Sequence, residues 1–222
     1  MFSPAHFGEL ILGTIVALLP LINPLATAPT FLAITEGDSH ERRMEQLGKA
    51  CIYMIGILVG FLVFGTFIMD FFGISIPGLR IAGGMLVVGI GWKMLMGEAP
   101  QNEHASPEAR AKADISFSPL AMPMMSGPGS IAVTISFTSL ATQWYDYAAI
   151  ILGILVVAAI SYAVLSLSTR IVLVIGSNGL NVLTKIMGFL LVCIGIQFVV
   201  NGLIGVVTEP ALLQGIRQAL RK

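Results

Sequence analysis

Six runs of mostly apolar residues, separated by polar connections, organise the chain: about Phe7 to Thr35, Leu47 to Phe72, Pro77 to Met96, Ser116 to Leu140, Tyr147 to Thr169 and Leu183 to Val207. A helix needs about 20 apolar residues to cross a hydrocarbon core, and each run meets that length. The pattern therefore predicts an all-α integral membrane protein with six transmembrane helices. The first connection, Glu36 to Glu45, is a charged turn with a capping-type serine, Ser39, before the second helix. The third connection is the longest, and its Glu, Gln, Asn, Pro, Ala and Lys content is that of a solvated linker. It divides the chain into a first three-helix unit at 1–97, a linker at 98–115, a second unit at 116–210 and a tail at 211–222. Read as a helix, the tail puts Leu212, Leu213, Ile216 and Leu220 toward one face and Arg217 and Arg221 toward another, a segment suited to lying on a membrane surface.

Composition points the same way. Of 222 residues 56% are hydrophobic and 11% charged, with a mean hydropathy of +0.90, a balance that polar surface could not cover in water. The formal charge is zero, so no basic field attracts nucleic acid and the expected surroundings are the lipid bilayer. The first apolar run lacks a basic n-region and is too long for a cleavable leader, so it reads as retained. Lysine and arginine stay on the cytoplasmic side. With the N-terminus outside, the first, third and fifth connections hold eight of these residues, from Arg42 to Lys185, against Arg80 and the three of the tail. The count favours periplasmic N- and C-termini, although the basic tail argues the other way. Cys51 and Cys193 both lie in apolar stretches, where a thiol behaves as a small buried hydrophobe. No metal or cofactor is expected.

The chain also repeats itself. At a constant offset of 105, Arg80 meets Lys185, Gly83 meets Gly188, Leu86 meets Leu191 and Gly97 meets Gly202, so the third and sixth helices read as copies. A nearly equal offset of 104 brings Pro24 onto Pro128. Three crossings per unit is an odd number, so the second copy enters the membrane upside down: two inverted three-helix repeats, an arrangement of many secondary transporters. Compositional likeness among apolar helices accounts for matches of Leu, Ile and Val; the paired glycines, basic residues and breaks carry the repeat.

Those breaks are the candidate chemistry. The first helix contains Leu19-Pro-Leu-Ile-Asn-Pro-Leu-Ala-Thr-Ala-Pro29, and the fourth contains Pro119-Leu-Ala-Met-Pro-Met-Met-Ser-Gly-Pro-Gly-Ser130. A proline inside a helix removes a backbone donor and clashes with the preceding turn, at about 3 kcal/mol or more. Irregular backbone at membrane depth must be buried in protein or line a wet cavity. The first and fourth helices are therefore expected to be discontinuous. Their half-helix ends would offer N–H groups to an anion and carbonyls to a cation, which suits a small zwitterion. Asn23, Thr27, Ser126 and Ser130 could add side-chain hydrogen bonds, with Pro24, Ala26 and Pro128 beside them, while Gly127 and Gly129 let a ligand approach the backbone. The plain alternative is a pair of proline kinks rescued by neighbouring helices.

Three segments, Ile22-Asn-Pro-Leu-Ala-Thr-Ala-Pro29, Pro119-Leu-Ala-Met-Pro123 with Ser126-Gly-Pro-Gly129, and Lys185 to Gly202, resemble the signature segments of the MarC family. The resemblance covers essentially the whole chain. It implies a bacterial inner-membrane protein related to LysE-type exporters, in a family of which some members transport glycine and other small neutral amino acids. It further implies a small-molecule substrate held between discontinuous first and fourth helices. Ala26 stands where the family commonly has glycine, and its added methyl bears on substrate size.

Other residues admit two readings. Gln197 and Asn201 sit four apart on the sixth helix and could contact substrate or join helices. Gly188, Gly195 and Gly202 recur every seven residues, a spacing for close helix packing. The methionines at 122, 124 and 125 read as adaptable packing. No histidine lies inside a run and no carboxylate falls in mid-span, so neither an intramembrane enzyme nor a carboxylate proton relay is readable. A non-transporting scaffold leaves paired breaks unexplained, and an exporter of another small metabolite is the other transport reading. The coupling ion, the direction of transport and the oligomeric state, a homo-oligomer included, stay open.

Overall fold

The computed structural model describes residues 4–97, 114–138, 140–141 and 143–208. It is helical, with no strand among the described residues. The elements are α1 (Pro4–Ile22), α2 (Pro24–Ile34), α3 (His40–Phe72), α4 (Ile76–Met96), the wide-coiled α5 (Ser116–Met125), α6 (Pro128–Phe137), α7 (Trp144–Ser166) and α8 (Ser168–Val207). α1, α3, α4, α7 and residues 178–207 of α8 are each long and apolar enough to cross a membrane, and α5 with α6, bent by 64° where they join, add a sixth if the pair counts as one span. Of the expected linker only Asp114 and Ile115 are described, and the amphipathic tail at 211–222 lies outside the described residues.

Local sequence explains most boundaries. The Ser39 hydroxyl accepts the Arg42 N–H at 3.3 Å and opens α3; Ser75 does the same for Gly78 at 3.2 Å and opens α4. The carbonyl of Thr35, beyond the end of α2, accepts an N–H of the Arg43 guanidinium at 3.1 Å, a cation placed at a helix C-terminus. The first apolar run is two helices meeting at Asn23, and one boundary differs from the sequence pattern. The fifth connection is not a loop: α8 begins at Ser168 and runs for 40 residues, turning only at Gly176, whose φ of 68° suits glycine. The run Ile171-Val-Leu-Val-Ile175 has no proline and nothing to stop a helix.

Large apolar side chains face both ways, as they must in a body solvated by lipid. Phe31, Met54, Leu58, Leu62, Ile150 and Ile154 are fully buried, while Phe67, Phe71, Leu173 and Val174 are at least 70% exposed. Several hydroxyls inside the helices donate back along the chain, Thr14 to Leu10 O and Thr134 to Ser130 O at 2.7 Å each, so these donors need no partner from outside their own helix.

Small residues set the packing. A Cβ on Gly153 of α7 would lie 2.7 Å from Thr14 Cβ of α1, and the same two helices begin side by side where His6 Nε2 stands 3.5 Å from the buried Asp146 carboxylate. α4 and α8 run antiparallel along a glycine seam: Pro77 faces Gly202, Gly84 faces Gly195 and Gly91 faces Gly188. A Cβ at either 84 or 91 would sit 2.6 Å from the opposing carbonyl oxygen, so the two backbones touch. The seven-residue glycine spacing on the sixth helix thus serves helix packing. The glycines that match across the two halves do different work, since Gly83 abuts Ala132 of α6 and not α8.

Candidate functional site: a cavity between two helix starts

The first break is built by Asn23. Pro20 weakens the end of α1, and the chain then turns through a left-handed Asn23 (φ 41°, ψ 65°), a conformation asparagine tolerates better than other side chains. Pro24 follows at the first position of α2, where its missing N–H costs nothing. Asn23 Oδ1 accepts the Ala26 N–H at 3.3 Å, capping α2 from within. The Thr27 hydroxyl donates to Asn23 O at 3.1 Å, which also accepts the Thr27 N–H, and reaches Ile22 O at 3.4 Å beside the break. Asn23 Nδ2 stays buried with no partner among the described residues.

The second break is more irregular. Ser118 and Met122 each precede a proline and are extended (φ −131° for both), which a following proline favours; the peptide bonds to Pro119 and Pro123 are cis. The Ser126 N–H bonds back to Ala121 O at 2.8 Å, and Gly127, also extended (φ −67°, ψ 169°), starts α6 with Pro128 at its first position. No side chain caps α6. At the far end of α5, Asp114 accepts the Ser116 N–H at 2.8 Å and its hydroxyl as well. Those two bonds hold the Asp114 carboxyl below the usual carboxylate range, helped by the nearby charges of Lys49 and Arg42.

Both starts open on one cavity of about 240 Å³. Asn23, Ala26, Thr27, Gly127, Pro128, Gly129 and Ser130 line it, so seven of the residues singled out from sequence meet there. Pro24 and Ser126 lie behind the wall, both buried, with Ser126 Oγ unpartnered among the described residues. Gln197 and Asn201 are elsewhere: exposed on α8, joined to each other by a 2.9 Å bond from Gln197 Nε2 to Asn201 Oδ1. Of the two readings, substrate contact and helix joining, the first finds no support in this placement, because the glycine face of α8 turns inward against α4 and carries the amides outward.

Part of the wall had no signal in the sequence. Leu21, Ile22, Pro123 and Met124 belong to the two proline clusters at the ends of α1 and α5, but Ile90 and Met94 come from α4, and Thr30 and Thr184 from α2 and α8. Thr30 could have been found, since it lies one helical turn beyond Thr27; Ile90, Met94 and Thr184 arrive through tertiary packing alone. The close approach is tight at Gly129, where a Cβ would lie 3.2 Å from Leu21 and 3.4 Å from Ile90. None of the lining residues is charged, and no group of three or more metal-ligating side chains occurs among the described residues.

Crossing helices, a lipid-facing apolar exterior and an uncharged interior cavity define a multi-pass helical membrane protein. The chain belongs to the MarC family: a profile described as MarC family integral membrane protein matches residues 8–207. It is similar to the inner membrane protein MarC of Salmonella typhimurium strain LT2, 39% identical over 208 residues that cover 87% of this chain and 93% of that one. The MarC proteins of Escherichia coli O1:K1 (40%) and Citrobacter koseri (38%) match over the same shares. No solved structure matches. The relatives are named as inner membrane proteins, and with the apolar spans this makes the chain a multi-pass protein of the bacterial inner membrane.

Proposed function

We propose that the chain is a secondary transporter of small neutral amino acids, glycine- and alanine-like zwitterions, which binds substrate between the first and fourth broken spans and works by alternating access. The observation that carries this reading is the convergence of two helix starts, at Pro24 and Pro128, on one uncharged cavity. The uncapped N–H groups of α6 and the buried Asn23 Nδ2 would receive a carboxylate, with the positive ends of both helix dipoles behind them. The last carbonyls of α1 would receive the ammonium. A wall without charge suits a ligand whose own charges cancel, and Leu21, Ile90 and Met94 offer an apolar side to whatever side chain it carries.

Two inverted three-helix repeats would place these breaks symmetrically, and the antiparallel pairing of α4 with α8 is what such symmetry requires of the third and sixth helices. Rocking one repeat against the other would then expose the cavity to either side. With periplasmic termini, the wall from Asn23 toward Thr30, Met94 and Thr184 would lie in the cytoplasmic half, which is where an inward-facing state would open. The test is purified protein in liposomes given labelled glycine, alanine, serine, proline and leucine. Saturable uptake and counterflow of at least one are expected; no movement of any neutral amino acid would overturn the assignment.

A further inference from the structure

We propose that the chain forms a two-fold symmetric dimer with a second copy of itself through the outward face of α8, along Ile186, Leu190, Cys193, Gln197, Val200 and Ile204. α8 carries two seams. Gly188, Gly195 and Gly202 face inward and are filled by α4. The residues of the second seam follow one another at alternating steps of four and three, lie on the opposite side of the helix, and are all exposed. That 3.5-residue average is the spacing by which two parallel helices keep one face together in a left-handed supercoil.

Apolar residues alone would leave such a face to lipid, which satisfies them fully. The amides change this. Gln197 and Asn201 stand on the apolar helix Asn178–Val207, six or more residues from its end, and an amide on a lipid-facing stretch of such a helix gets no hydrogen bond from hydrocarbon. Their mutual bond uses one N–H of Gln197 and one lone pair of Asn201. It leaves Gln197 Oε1, the other Gln197 N–H and both Asn201 N–H groups without partners among the described residues. In a parallel pair about an axis along the membrane normal each residue meets its own counterpart. A primary amide is self-complementary in that setting, since it both donates and accepts, so Gln197 can pair with the second Gln197 and Asn201 with the second Asn201. One polar position in an otherwise apolar seam also fixes register and favours a defined number of strands. These observations select another copy of α8 over an unrelated apolar partner, and they hold whether or not the cavity carries amino acids.

Cys193 is a native reporter, because it is exposed on the seam while Cys51 is buried. Oxidation of membranes with copper phenanthroline is expected to yield a disulfide-linked dimer that Cys193→Ser abolishes. In that serine background, Leu190→Cys, Val200→Cys and Ile204→Cys should cross-link, whereas Met85→Cys and Trp92→Cys on the exposed face of α4 should not. Gln197→Leu combined with Asn201→Leu should weaken association about tenfold in dilute liposomes, with the melting temperature of the chain retained. Failure of position 193 and its seam neighbours to cross-link, cross-linking as strong at 85 and 92, or single copies by single-molecule photobleaching would each overturn the dimer.

Discussion

The two breaks meet the same backbone problem differently. At Asn23 the chain satisfies itself: the side-chain oxygen caps α2, the Thr27 hydroxyl bonds the carbonyls of Ile22 and Asn23, and one amide nitrogen is left over. At Gly127 nothing closes the helix start, because a residue without a side chain stands where a cap would be and proline follows. The first break therefore offers a ligand one positioned donor on a stiff support, and the second offers bare backbone. A carboxylate bound between them would complete the cap that α6 lacks.

The largest effect should come from filling the uncapped side. A Cβ at 127 would already lie 3.0 Å from Pro123 O, and Gly127→Leu would push its side chain into the cavity. Uptake in proteoliposomes should fall about a hundredfold or more while membrane insertion persists; unchanged uptake would remove this break from the site. Next, Asn23→Asp keeps the oxygen that caps α2, removes the spare donor and adds a charge that repels a carboxylate. Substrate affinity should drop about tenfold or more with little change in thermal stability. Asn23→Ala should instead lose the cap and strain the left-handed turn, about 1 kcal/mol for each, and lower the melting temperature. If the two variants behaved alike, the separation of capping from binding would be wrong. The smallest effect concerns Asp114, whose carboxyl is held low at the entrance to α5. A lowered carboxyl stabilises the fold above its ordinary range and stops doing so as pH falls through the lowered value. Melting should be insensitive to Asp114→Asn's pH signature above about pH 5: wild type and variant should run parallel there and converge on acidification below it. Parallel curves throughout would show that Asp114 does not support the break.

Much of this was legible along the chain. Run length and lipid chemistry decide the crossings, and prolines at membrane depth decide that Asn23 and Gly127 interrupt helices, because a lost donor has local consequences wherever the chain goes. Caps such as Ser39 and Ser75 act within one turn and are equally local. Gln197 and Asn201 mark the limit of such reading. Their spacing put them on one face, but which way that face turned depended on glycines meeting the backbone of α4, a contact between residues about 100 positions apart. The same holds for Ile90, Met94 and Thr184, ordinary residues that become cavity wall only because α4 and α8 pass beside the two helix starts. The sequence by itself determined a lipid-solvated helical chain with two places where its backbone could not continue as helix. Tertiary structure decided that those places face one another across a single cavity, because the direction a helix face takes is set by the surface that packs behind it.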